Sequence, residues 1–192
     1  MFQTVRGLQE VTSMKAAFVD GASFYHMRRN MGMGESFSHA GCRSILEEIG
    51  SNEPLLLPVA ITVVHSVSAN EVRELMANQF RPILTSSRGG QDDLAIILGI
   101  DKISPAEIHE IILVSSDKDF IPILRCKYAE GIRITLLATR TPQKDGRRSI
   151  GFEMEKEFGR DRFQFVELSR YINRLRHPED QVEPLRYEYE VY

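Results

Sequence analysis

The sequence predicts an α/β domain with a mainly parallel central sheet, on three observations. Apolar runs end in turn-forming or acidic residues: Ala16-Ala17-Phe18-Val19 before Asp20-Gly21, and Ile111-Ile112-Leu113-Val114 before Ser115-Ser116-Asp117. Such runs suit strands covered on both faces. Helical stretches separate the strand candidates, as right-handed crossovers between parallel strands require. Finally, 42% hydrophobic and 27% charged residues in 192 supply a core and argue against wholesale disorder.

Along the chain, the run ending at Asp20 is the first strand. A mixed segment from Ser23 is interrupted by Met31-Gly32-Met33-Gly34. A helix is expected from about Phe37 to Ile49, stopped by Gly50. Leu55-Leu56-Leu57-Pro58 leads into a second strand, Val59 to Val67. Asn70 is placed to cap a helix carrying Val72, Leu75 and Met76. Pro82-Ile83-Leu84 is a short third strand, and a polar loop from Thr85 to Gln91 ends at Asp92-Asp93. Leu94 to Ile103 is apolar almost all round and predicts a buried helix. After the strand at 111–114, a helix begins at Asp119, runs through Phe120, Ile123, Leu124 and Tyr128, and ends at Gly131. Ile132 to Ala138 and Phe163 to Leu168 are further strands, Arg140 to Arg148 is a polar, basic, mobile loop, and Arg170 to Leu175 is a last helix.

The net charge of −3 and pI near 6.0 do not suggest a protein held on nucleic acid by bulk charge alone. A cluster of metal-binding carboxylates would itself lower the pI. Cys42 and Cys126 form no CxxC pair and sit among apolar neighbours, which predicts two buried free thiols and a reducing compartment. No leader-like segment and no long apolar run is evident, so a cytoplasmic location with no membrane association is expected.

In open α/β sheets, chemistry gathers beyond the carboxyl ends of strands, where the strand order reverses. Asp20 and Asp117 occupy that position, and Asp92-Asp93 reach it through a glycine-bearing loop before a helix. Taken singly, each has a plain structural use, Asp20 and Asp119 as helix caps and Asp101 as a salt-bridge partner. Together they repel one another unless a cation joins them, and hard oxygen ligands suit Mg²⁺ or Mn²⁺. One ion, or two roughly 3.5–4 Å apart, would activate water and neutralise a phosphodiester.

These residues resemble a known family. Phe18-Val19-Asp20-Gly21, Gln91-Asp92-Asp93-Leu94 and Ile112-Leu113-Val114-Ser115-Ser116-Asp117-Lys118-Asp119-Phe120-Ile121-Pro122-Ile123-Leu124 look like the NYN domain. That group of PIN-like nucleases includes the LabA-like bacterial proteins. Ser-x-Asp-x-Asp-Phe followed by an apolar helix, Gly131 and a strand is the most specific part, and the similarity spans about Lys15 to Ala138. The resemblance implies a PIN-like Rossmannoid three-layer fold over residues 15–176, with an extension at 1–14 and a tail at 177–192. It also implies a Mg²⁺- or Mn²⁺-dependent site acting on RNA. Carried over, Asp20, Asp93 and Asp117 are the expected metal ligands. Asp93 is preferred to Asp92 because it abuts the helix. Asp119 completes the catalytic set by orienting the water shell, and Asp101 matches a further acidic position. The chain departs from the family at Ser23, where asparagine is usual, and at Ser116 and Lys118, where smaller residues are common. Ser23, Ser116 and Lys118 are the substrate-binding candidates.

Other chemistries fit poorly. A dehalogenase-type phosphoaspartyl enzyme needs an aspartate where Ala22 stands, and there is no GxGxxG after the first strand and no GxSxG. The real competitor is a non-catalytic PIN-like module binding RNA or a protein. Arg28, Arg29, Arg88, Arg140, Lys144, Arg147 and Arg148 would track a backbone, though scattered arginines are usually solvated charge. The tail Tyr187 to Tyr192 alternates aromatic and acidic residues, a pattern for a frayed end or for a strand added to a neighbouring copy, so a homo-oligomer stays open.

Overall fold

A computed structural model describes residues 14–33, 38–50, 53–63, 67–86, 89–139, 150–158 and 161–176. The strands are β1 (Met14–Asp20), β2 (Val59–Val63), β3 (Arg81–Thr85), β4 (Ile108–Val114), β5 (Arg133–Ala138) and β6 (Phe163–Glu167). The helices are α1 (Gly21–Asn30), α2 (His39–Ile49), α3 (Ala69–Ala77), α4 (Gln91–Asp101), α5 (Ile121–Ala129), α6 (Ile150–Glu157) and α7 (Ile172–Leu175). All six strands run parallel in the order β3-β2-β1-β4-β5-β6. This is the predicted α/β class with its parallel sheet.

The central strands are apolar because they are covered on both sides. Ile111, Ile112, Leu113 and Val114 are fully buried, and they pair with Ala16 to Val19 on one side and Ile134 to Leu137 on the other. Right-handed crossovers put α1 to α3 over one face and α4 to α6 over the other. The contacts agree: α4 packs on α5, α1 touches β2, and α7 returns to pack against α2. Close approach depends on small residues. A Cβ on Gly99 of α4 would lie 2.8 Å from Phe18 Cε1, so glycine lets α4 settle onto β1. The chain moves toward β3 after β1 but toward β6 after β4. The crevice expected at such a reversal therefore opens beyond Asp20 and Val114.

Several expectations change. Ser68, not Asn70, caps α3, its hydroxyl accepting from the Glu71 amide. Asp92 and Asp93 lie inside the first turn of α4 rather than before it. That helix is not buried all round, since Leu94 and Leu98 are about half exposed, as is Leu84 on the edge strand β3. A 3-10 turn at Lys118–Phe120 precedes α5, so the helix proper starts at Ile121. The segment from Ser23 is part of α1, and α6 was not foreseen. Cys42 is a buried free thiol as expected, but Cys126 is exposed. The basic loop at 140–148, the tail after residue 177, Arg88 and the proposed continuation of the second strand through 64–66 lie outside the described residues. No helix among the described residues is long and apolar enough to cross a membrane.

Candidate active site

Asp20 ends β1 and caps α1 at the same time. Its Oδ1 accepts from the Ser23 amide at 3.0 Å, and its Oδ2 accepts from the Ser115 hydroxyl at 2.7 Å. The carboxyl group is only 2% exposed. Burial pushes its pKa up, the two hydrogen bonds pull against that, and the charges of Asp92 and Asp117 add to the rise. The capping use expected of an isolated aspartate and a place in an acidic crevice therefore coincide in one residue. Gly21 allows this arrangement: a Cβ there would sit 2.6 Å from the Ile61 carbonyl oxygen, so only glycine brings the start of α1 this close to β2.

The loop after β4 is tied to the same corner. The fully buried Ser115 hydroxyl that donates to Asp20 also accepts from the Asp117 amide at 3.0 Å. Asp117 in turn caps the 3-10 turn, its Oδ1 accepting from the Asp119 amide at 2.9 Å. Ser23 Oγ accepts from the Ser116 amide at 2.8 Å and lies 2.8 Å from Ser116 Oγ. These bonds fix the Asp117 backbone relative to β1, and the half-buried Asp117 side chain in turn holds Asp119.

The third side comes from α4. Gly90, at φ +78°, turns the chain into the helix and places Asp92 and Asp93 in its first turn, where negative charge meets unpaired amides favourably. One carboxylate oxygen each from Asp93, Asp117 and Asp119 lies within 4.8 Å of the others. Partial burial, then the charges of Asp92, Asp117, Asp20 and Asp119, push the Asp93 pKa from 3.8 up to about 6. Hard oxygens from three carboxylates that repel one another are a donor set that fits a divalent cation.

The NYN domain family model matches residues 15–150, well over half the chain and the span that carries all of these carboxylates. The chain belongs to the NYN domain family. None of the curated proteins compared with it matches. NYN domains are generally nucleases of the PIN-like superfamily, so this chain carries a nuclease domain.

Within this NYN domain, the expected site residues are not equivalent. Asp93, Asp117 and Asp119 form the mutual cluster, whereas Asp20 stands behind it. Asp92 shares the first turn of α4 with Asp93, and Asp101 is exposed at the far end of that helix. Ser23 and Ser116 are engaged with each other across the α1–β4 corner. Lys118 Nζ pairs with Glu153 Oε1 of α6 at 2.8 Å, so its charge is already partnered. Sequence reasoning missed two participants. Ser115 was part of the recognised Ser-x-Asp-x-Asp-Phe motif but carried no assigned role. Glu153 lies on the helix that the pattern did not reveal.

Proposed function

We propose that this NYN domain is a ribonuclease hydrolysing RNA phosphodiester bonds at a Mg²⁺ or Mn²⁺ site. The observation that carries the reading is the convergence of Asp93, Asp117 and Asp119, from two separate parts of the chain, within 4.8 Å at the strand-order reversal. The geometry favours an exchange of roles relative to the sequence expectation. Asp119 joins Asp93 and Asp117 as a ligand, while Asp20, deeply buried and already accepting two hydrogen bonds, steadies them from behind. A divalent ion held there would supply water activation and charge neutralisation at the phosphodiester. The chain's own part is to keep three carboxylates ionised and oriented in an open crevice, with Ser115 fixing the Asp117 backbone.

The test incubates purified protein with end-labelled RNA and Mn²⁺, beside an Asp117→Asn variant and an EDTA control. Cleavage by the native chain that falls at least a hundredfold in the variant and stops in EDTA supports the proposal. Equal cleavage in both proteins marks contamination. Absence of cleavage in either, with RNA still bound, would leave a non-catalytic RNA-binding module.

A further inference from the structure

A cavity of about 720 Å³ lies apart from the acidic cluster. It lies between α1, α2 and α3 above the end of β2, and neither Asp20 nor any of the three clustered aspartates lines it. Its size falls within the usual range of small-molecule sites. Its walls combine apolar and aromatic surface (Phe80, Leu75, Tyr25) with the Arg28 side chain on one helix and the Glu71 and Glu74 carboxylates on another. Glu74 Oε2 also pairs with His39 Nδ1 at 3.2 Å, and a purely apolar ligand would cover these polar walls without bonding to them. An isolated anion would face two carboxylates. A planar group with apolar faces and a mixed donor and acceptor edge meets neither objection.

A nucleobase is such a group, and the cavity is placed to receive one. Gly21 and Ala22 line it, and they stand between Asp20, the cap of α1, and Ser23, both tied to the loop that carries Asp117. The cavity and the acidic crevice thus share the first turn of α1 as a common wall. Tyr25, 45% exposed, has the guanidinium carbons of Arg28 and Arg29 each 5.9 Å from its ring centroid. Aromatic rings beside arginines are the surfaces on which unstacked bases of single strands settle.

We infer that this cavity is a base-binding subsite that accepts an unstacked base of single-stranded RNA next to the acidic crevice, and that it prefers bases bearing an exocyclic amino group. The preference follows from Glu71 and Glu74. A carboxylate accepts a hydrogen bond from the amino group of cytosine, adenine or guanine, whereas uracil presents a carbonyl at the position cytosine uses for its amino group. Only the RNA in this statement rests on the ribonuclease reading.

The test is an NMR titration of the full chain, in EDTA, with cytidine and with uridine. Neither nucleoside carries a phosphate, so the acidic trio takes no part. Cytidine should bind about tenfold more tightly than uridine. Tyr25→Ala should weaken both by about tenfold, and Glu74→Gln or Glu71→Gln should shrink the difference between them. Both Tyr25 and Glu74 are well exposed, so these variants keep the fold. No binding, equal affinity for the two nucleosides, or undiminished binding in Tyr25→Ala overturns the inference. A chain without ribonuclease activity that still selects cytidine would sink the previous proposal and support this one.

Discussion

Replacing Asp93 with asparagine should make the metal-free protein more stable above pH 6 while weakening its hold on a cation. Folding raises the Asp93 pKa from 3.8 to about 6, first through partial burial and then through the charges of Asp92, Asp117, Asp20 and Asp119. Between those values the folded state binds more protons than the unfolded one, so stability falls as pH rises from about 4 to 6 and stays reduced beyond. In a fully buried group a rise of that size is worth about 3 kcal/mol. Asp93 is only partly buried, and solvent screening brings the figure to about 1 kcal/mol. For a domain of this size that corresponds to a midpoint roughly 2–4 °C higher in Asp93→Asn at pH 7.5. The gain should shrink steadily toward pH 4. The assay is a series of thermal melts in EDTA between pH 4 and 8, repeated with Mn²⁺. The native protein should gain stability from Mn²⁺ at pH 7.5 and little at pH 4.5, where Asp93 holds a proton, and the variant should gain less at both. Parallel curves for the two proteins across the whole pH range would refute the claim that repulsion is concentrated in this crevice.

Three more predictions follow from the same structure. Ser115→Ala should cost about 1–3 kcal/mol in urea denaturation, because the buried Asp20 carboxyl group and the half-buried Asp117 amide each lose a bond, and it should also lower cleavage more than Ser115→Thr does. Lys15 is 3% exposed, with Nζ 2.9 Å from the equally buried Glu110. Lys15→Ala leaves that carboxylate without a compensating charge, its Thr135 hydroxyl bond remaining, so a loss of about 3–5 kcal/mol is expected, with part recovered by adding Glu110→Gln. Gly99→Ala forces α4 off Phe18, and a loss of about 1–3 kcal/mol in the same urea assay checks it.

The parallel sheet was legible because its inner strands are covered on both faces and so are written as short unbroken apolar runs, Ile111 to Val114 above all. The same simplicity misled at α4. A run rich in leucine and isoleucine implies burial, but Leu94 and Leu98 fall on the side away from the sheet, and a periodicity that is nearly uniform cannot tell which side that is. Helix α6, with Gly151 near its start and acidic residues interleaved with Phe152 and Met154, has too weak a pattern to stand out from a loop. At the site, the aspartates were legible because each ends a strand or opens a helix. Their division of labour was not. Whether Asp20 faces the crevice or is sealed behind it depends on Ser23 and Ser115 arriving from 3 and 95 residues away. Only the second of these is long-range, and local sequence is silent about it.

The pairing of β1 with β4 has a consequence for when the enzyme can exist. Met14–Asp20 has no partner on its β4 side until residues 108–114 have been made and have closed beside it. Loop closure over so long a stretch is slow compared with local helix formation. A ribosome-bound chain therefore carries Asp20 without the acidic cluster in front of it until residues 108–119 have been made. Until its two innermost strands meet, the nascent nuclease domain has no assembled acidic site.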